Sequence, residues 1–154
     1  MTKLYPVIKI NEPSVLNVWK GLPIEVLVVR LQDLICPRSL NLNSTFLQIK
    51  EKRGIHKFLD FDGKIILSLI MKDRMIHGFN PYRYLEVIDT LKPDFYTTID
   101  CETYEKEELV SKAEIKISFL ETSRLIRLCK DSKPIGQVKG CTKSQINTHL
   151  TLLK

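Results

Sequence analysis

The sequence predicts an α/β fold with mainly parallel strands, and three observations carry that expectation. The runs Pro23-Ile24-Glu25-Val26-Leu27-Val28-Val29 and Lys64-Ile65-Ile66-Leu67-Ser68-Leu69-Ile70 are nearly continuous and β-branched, as strands buried on both faces are. Amphipathic helical stretches separate these runs from later ones of the same kind. Neither an internal repeat nor a Gly/Ser linker interrupts the 154 residues, so one domain spanning 1–154 is expected, long enough to bury a real core.

Taken in order, Pro6 to Ile10 alternates like a short strand and breaks at Asn11-Glu12-Pro13. The two long runs follow as strands. Asn80-Pro81 opens a helix as N-cap and first residue, Tyr84, Val87, Ile88 and Leu91 form its apolar stripe, and Lys92-Pro93 stops it. Phe95 to Ile99 is a strand ending in Asp100. From Tyr104 to Cys129 a long helix is expected, with Leu109, Ala113, Ile117, Leu120 and Leu128 near one face, although Glu114 to Phe119 also alternates like a strand. Pro134 to Val138 is a strand ending in Lys139-Gly140. Ser144 can cap a last helix with Ile146, Leu150 and Leu153 as its apolar residues. Parallel strands joined by helices imply right-handed crossovers. Chemistry in such folds gathers at the carboxyl ends of strands, which directs attention to Arg30, Ser68, Asp100 and Lys139.

Composition narrows the function classes. No apolar run approaches the roughly 18 residues that span a bilayer, and Met-Thr-Lys-Leu-Tyr-Pro lacks a signal-peptide core. A cytoplasmic setting without a membrane partner is expected. Cys36, Cys101, Cys129 and Cys141 lie far apart with no Cys-x-x-Cys pair, which suits four reduced thiols rather than a metal site. Neither metal nor cofactor is expected. The formal net charge is +6, and it is concentrated: residues 123–154 hold seven bases against the single acid Asp131, whereas the first 122 residues hold equal numbers of each. A clustered basic face attracts polyanions and releases counterions from phosphates.

Three motifs carry a family resemblance. Lys52-Arg53-Gly54-Ile55-His56-Lys57-Phe58-Leu59-Asp60-Phe61-Asp62-Gly63-Lys64-Ile65-Ile66 resembles the Gly-Leu-His-Lys-Phe and Trp-Asp-Gly-Pro-Ile-Leu stretch of tRNA-guanine transglycosylases. Pro93-Asp94-Phe95-Tyr96-Thr97-Thr98-Ile99-Asp100 is similar to that family's strand ending in Leu-Asp, and Gly136-Gln137-Val138-Lys139-Gly140-Cys141-Thr142 to its Gly-Ile-Val-Gln-Gly-Gly-Thr. Their order and rough spacing also fit, over about residue 20 to the end. The resemblance implies a β/α barrel that exchanges a guanine in tRNA for a modified deazaguanine, here reduced to a partial, TIM-type half barrel. It further implies that Asp100 is a remnant of the base-holding set.

Departures from the pattern argue against catalysis. Ser68 stands where the family's first base-holding Asp is expected, Ile70 and Met71 replace two glycines that let a base approach the backbone, and Lys139 stands at the Gln position. The matched stretch also stops short of the family's nucleophilic Asp and zinc ligands, and covalent base exchange needs a carboxylate beside the anomeric carbon. The expectation is therefore a non-catalytic accessory or subunit protein that binds tRNA or another structured RNA, or works within a ribonucleoprotein. Arg124, Arg127, Lys130, Lys139 and Lys143 are its candidate RNA-binding residues. Arg124 and Arg127 can share a helix face, and the loop from Lys139 to Lys143 opens a helix whose N–H groups favour phosphate. Half a barrel leaves strand edges to be covered, so a protein partner or self-association is expected. The alternative is one half of a split base-exchange enzyme completed by another chain. His56 reads as a packing residue, His149 as a helix-surface position, and Asp60 and Asp62 as turn residues.

Overall fold

A computed structural model describes residues 5–12, 19–70, 79–80, 82–100, 108–138 and 142–152. The fold is α/β: five strands form one sheet, all parallel and in sequential order. These are β1 (Val7–Ile8), β2 (Val26–Arg30), β3 (Lys64–Ser68), β4 (Phe95–Thr97) and β5 (Lys133–Ile135). The described helices are α1 (Ser44–Glu51), α2 (Ile55–Leu59), α3 (Tyr82–Leu91), α4 (Glu108–Leu128) and α5 (Lys143–Leu152), with a 3-10 turn over Leu31–Leu34.

In sequential parallel order, right-handed crossovers place the connecting helices over one face of the sheet. The burial pattern agrees. Register aligns Ile8, Val29, Leu67 and Tyr96 across four strands, and all are buried; Leu27 and Ile65 extend the same face. Against them pack Phe46 and Ile49 of α1, Ile55 and Leu59 of α2, and Tyr84, Val87, Ile88 and Leu91 of α3. The row on the opposite face, Val7, Val28, Ile66 and Phe95, is exposed at Val7 and half-buried at the rest. Truncating one side chain of the closed core, such as Leu67→Ala, should cost about 2–5 kcal/mol.

Local chemistry sets the element ends. Asn80 caps α3, its side-chain oxygen accepting from the Tyr82 amide at 2.9 Å, and Lys92 ends the helix in the left-handed region at φ 51°. Asn43 caps α1 by accepting from the Phe46 amide, while its amide nitrogen donates to the Asp33 carbonyl. The last helix begins differently from expectation. Thr142, not Ser144, caps it: the Gln145 amide donates to Thr142 Oγ1 and the Thr142 amide to Gln145 Oε1, a reciprocal capping box. Ile146 and Leu150 are exposed in this helix, while Gln145 and His149 are buried, so the surface position expected for His149 is corrected. The alternation over 114–119 resolves as helix.

Asp94, at the amino end of β4, ties three elements together. Its carboxylate accepts from Lys64 Nζ at 2.7 Å and from the Ile65 amide at 2.9 Å, and lies 3.1 Å from His56 Nε2. His56 Nδ1 in turn lies 3.0 Å from the Phe61 carbonyl, so the pair with Asp94 is a full ion pair only when the ring is protonated. Burial alone would raise the Asp94 pKa. The hydrogen bonds from Lys64 and Ile65 and the nearby charges outweigh it and hold the carboxyl below its usual value. Gly63 permits this approach of β3 to β2: a Cβ there would sit 2.6 Å from the Glu25 carbonyl, against backbone.

Asp94→Ala should destabilise the protein by about 1–3 kcal/mol in urea melts, since it orphans a backbone amide and removes charge-assisted bonds. The depressed pKa fixes the sign with pH. Stability from Asp94 is complete above the unfolded-state value and is lost as pH falls through the lower folded value. Wild type and variant melts should therefore converge in acid.

Candidate functional site

The two ends of the sheet present different chemistry. At the carboxyl ends, Arg30 is engaged by Asp33 in two parallel bonds, Nε to Oδ2 at 3.0 Å and Nη2 to Oδ1 at 2.9 Å. This bidentate pair is local, between β2 and the 3-10 turn that follows it. Ser68 is buried beside Arg30 in register. Beyond them the chain leaves β4 through a set of hydroxyl contacts. The Leu69 amide donates to Thr97 Oγ1 at 2.8 Å, and the Gln137 amide donates to Thr98 Oγ1 at 3.1 Å. From α4, Thr122 Oγ1 accepts from the Ile99 amide at 3.1 Å and Ser118 Oγ donates to the Ile99 carbonyl at 2.6 Å. These bonds satisfy backbone groups that the short strand no longer pairs.

Asp100 follows this polar layer and is only 3% exposed. It lies close enough to Tyr84 for its charge, together with burial as the larger cause, to push the phenol well above its ordinary pKa. Tyr84 itself stacks edge-on against Phe79 at 5.0 Å. The acid expected to hold a base is thus folded into the wall of the sheet's carboxyl end.

At the amino ends, a cleft of about 400 Å³ opens between the last turns of α3 and α4, lined by Asp89, Lys92, Cys129, Lys130, Asp131 and Ser132 among others. Ser132 Oγ donates to the Pro93 carbonyl and anchors its floor. The buried Cys129 thiol faces the Tyr96 hydroxyl. Burial chiefly, with the Asp89 charge, pushes the thiol up to about 11, and burial with the neighbouring sulfur pushes Tyr96 to about 12. Among the described residues no group of three or more His, Cys, Asp or Glu side chains could hold a metal ion, and no helix is long and apolar enough to cross a membrane.

The basic residues singled out by sequence divide between these ends. Arg127 and Lys130 are exposed on the last turn of α4 and just beyond it, at the amino end of β5, whereas Arg124, exposed a turn earlier, lines a small pocket with Tyr82 and Ile99. Lys143 is exposed at the start of α5, past the carboxyl end of β5. Strand β5 runs between them, so they form two groups rather than one. Lys139 lies outside the described residues. Arg124 is drawn loosely toward Glu121 at 3.6 Å, while Arg127, Lys130 and Lys143 meet no carboxylate among the described residues. Lys133, exposed at the first position of β5, and Lys92, at the end of α3, join the amino-end group. Lys133 is three residues from Lys130 in sequence, whereas only the fold brings Lys92 to the same cleft.

The raised Cys129 pKa predicts that this thiol resists alkylation at neutral pH, because the thiolate is the reactive form. Peptide-resolved labelling of the native protein should show Cys129 protected relative to half-exposed Cys36, with protection lost on unfolding or toward pH 11. No family model matches this chain, and no curated protein matches it.

Proposed function

We propose that this protein is a non-catalytic RNA-binding accessory or subunit, built on a half barrel of the tRNA-guanine transglycosylase type, that contacts phosphates of tRNA or another structured RNA. The observation that carries this reading is the amino-end group: Arg127, Lys130 and Lys133 are exposed and unneutralised among the described residues. Exposed lysine and arginine side chains at the end of one helix and the start of the next strand can follow a phosphate backbone without any catalytic geometry. Strand order supports the half-barrel part. Five parallel strands in sequential order, with one face closed by helices, is the arrangement a β/α barrel needs over its first strands.

The split-enzyme reading finds less support. A composite base pocket would need Asp100 accessible, whereas it is nearly closed off, and Ser68 at the neighbouring strand end is buried as well. A hydroxyl there cannot supply the charge of the missing carboxylate.

The test is the salt dependence of binding to tRNA, followed by fluorescence anisotropy. Affinity should fall with log[salt] at a slope of about −0.7 to −0.9 per phosphate contacted. The double substitution Lys130→Glu with Lys133→Glu should weaken binding and flatten that slope. Binding that is flat across salt, or unchanged by the double substitution, would sink the proposal.

A further inference from the structure

We propose that the cleft between the ends of α3 and α4 binds a small zwitterion, a free amino acid with an aliphatic side chain, through two carboxylates and two ammonium groups acting together. The four charges come from two elements. Asp89 and Lys92 stand in and just past the last turn of α3, and Lys130 and Asp131 shortly follow α4. All four are exposed, and none forms an ion pair among the described residues. Ile88, Leu128 and Cys129 supply an apolar wall. At about 400 Å³ the cleft falls within the size range of small-molecule sites.

Local physics does not account for two of these groups. Asp89 sits in the last turn of α3, where the negative end of the helix dipole disfavours a carboxylate. Lys92 ends that helix at φ 51°, a conformation that helices usually give to glycine. Its charge suits the helix end; its Cβ does not. Groups held against local preference, with no partner in the protein, point to a partner from outside. The inner wall has polar capacity to spare as well. Behind the Cys129 thiol, the buried Tyr96 hydroxyl has no other hydrogen-bond partner. The Asp89 charge reaches that thiol, second to burial among the causes of its raised pKa.

Sign selects the ligand. A phosphate would gain from Lys92 and Lys130 but face Asp89 and Asp131, and a simple amine would meet the reverse. Only a molecule carrying both signs can oppose each pair with its complement. An α-amino acid does so: its carboxylate accepts from the lysines, its ammonium donates to the aspartates, and an aliphatic side chain lies against Ile88 and Leu128. The two helix ends add partial negative charge that favours the ammonium. The RNA reading gives Asp89 and Asp131 no role, since acids repel phosphate, so this inference stands apart from it.

Isothermal titration of the purified, ribonuclease-treated full chain with leucine should show saturable binding. Isopentylamine, which lacks the carboxylate, and isocaproate, which lacks the amine, should each bind about tenfold more weakly, the loss of a charge-assisted hydrogen bond. Asp89→Asn and Lys92→Gln should each weaken leucine binding by about the same factor, with an unchanged circular dichroism spectrum. Leucine that fails to bind at millimolar concentration overturns the proposal. So does an amine or carboxylate analogue that binds as well as leucine, which would leave a site for one sign only. Leucine binding that Asp89→Asn leaves unchanged overturns it too.

Discussion

Parallel pairing in sequential order is the constraint from which the rest of this structure follows. Each strand must be carried back to the amino end of the sheet before the next begins, and right-handed crossovers place the connecting helices over one side. One face is therefore closed by helices and can be wholly apolar, as Leu27, Val29, Ile65, Leu67 and Tyr96 are. The other receives no helix by this route, and its central row of Val28, Ile66 and Phe95 is only half-buried. The same constraint makes the two ends of the sheet unlike. Asp94 and the basic group lie at the amino end, Asp100 and the hydroxyl layer at the carboxyl end.

Short strands shift part of the holding work from the ladder to side chains. Strands β4 and β5 pair over three residues each, so backbone groups just past them need partners from elsewhere. At the amino end Asp94 accepts the Ile65 amide, and the Lys133 amide donates to the Asp94 carbonyl. At the carboxyl end Thr97, Thr98, Ser118 and Thr122 do the equivalent. This explains why α4 turns Ser118 and Thr122 inward between Ile115 and Leu125. The positions that meet the end of β4 are chosen for hydroxyls, and an apolar side chain there would leave the Ile99 amide and carbonyl buried without partners.

Much of this was legible in the sequence, though unevenly. The β-branched runs located β2 and β3, and Asn80 with the stripe of Tyr84, Val87, Ile88 and Leu91 located α3, because composition and periodicity both report burial there. Helices α1 and α2 escaped notice: each is short, and each turns only two residues into the core, too few to establish a period. For α4 the period was visible but its sense was not, since periodicity identifies a face without saying which side of it is wet. The fate of His149 has the same origin. A buried Gln145 and His149 beside exposed Ile146 and Leu150 invert the usual pattern on α5. At the site, Asp100 was legible as a strand-end acid, but its closure depends on Tyr84 and the neighbouring strand ends, which lie far away in sequence.

The basic residues show how topology revises a linear count. Lys130 and Lys143 are near neighbours in sequence, yet β5 runs its length between them, and a parallel sheet puts the two ends of a strand on opposite sides of the molecule. Lys92 and Lys130 are distant in sequence but line one cleft, because α3 and α4 end on the same side. A basic surface here is thus defined by which helix and strand ends coincide.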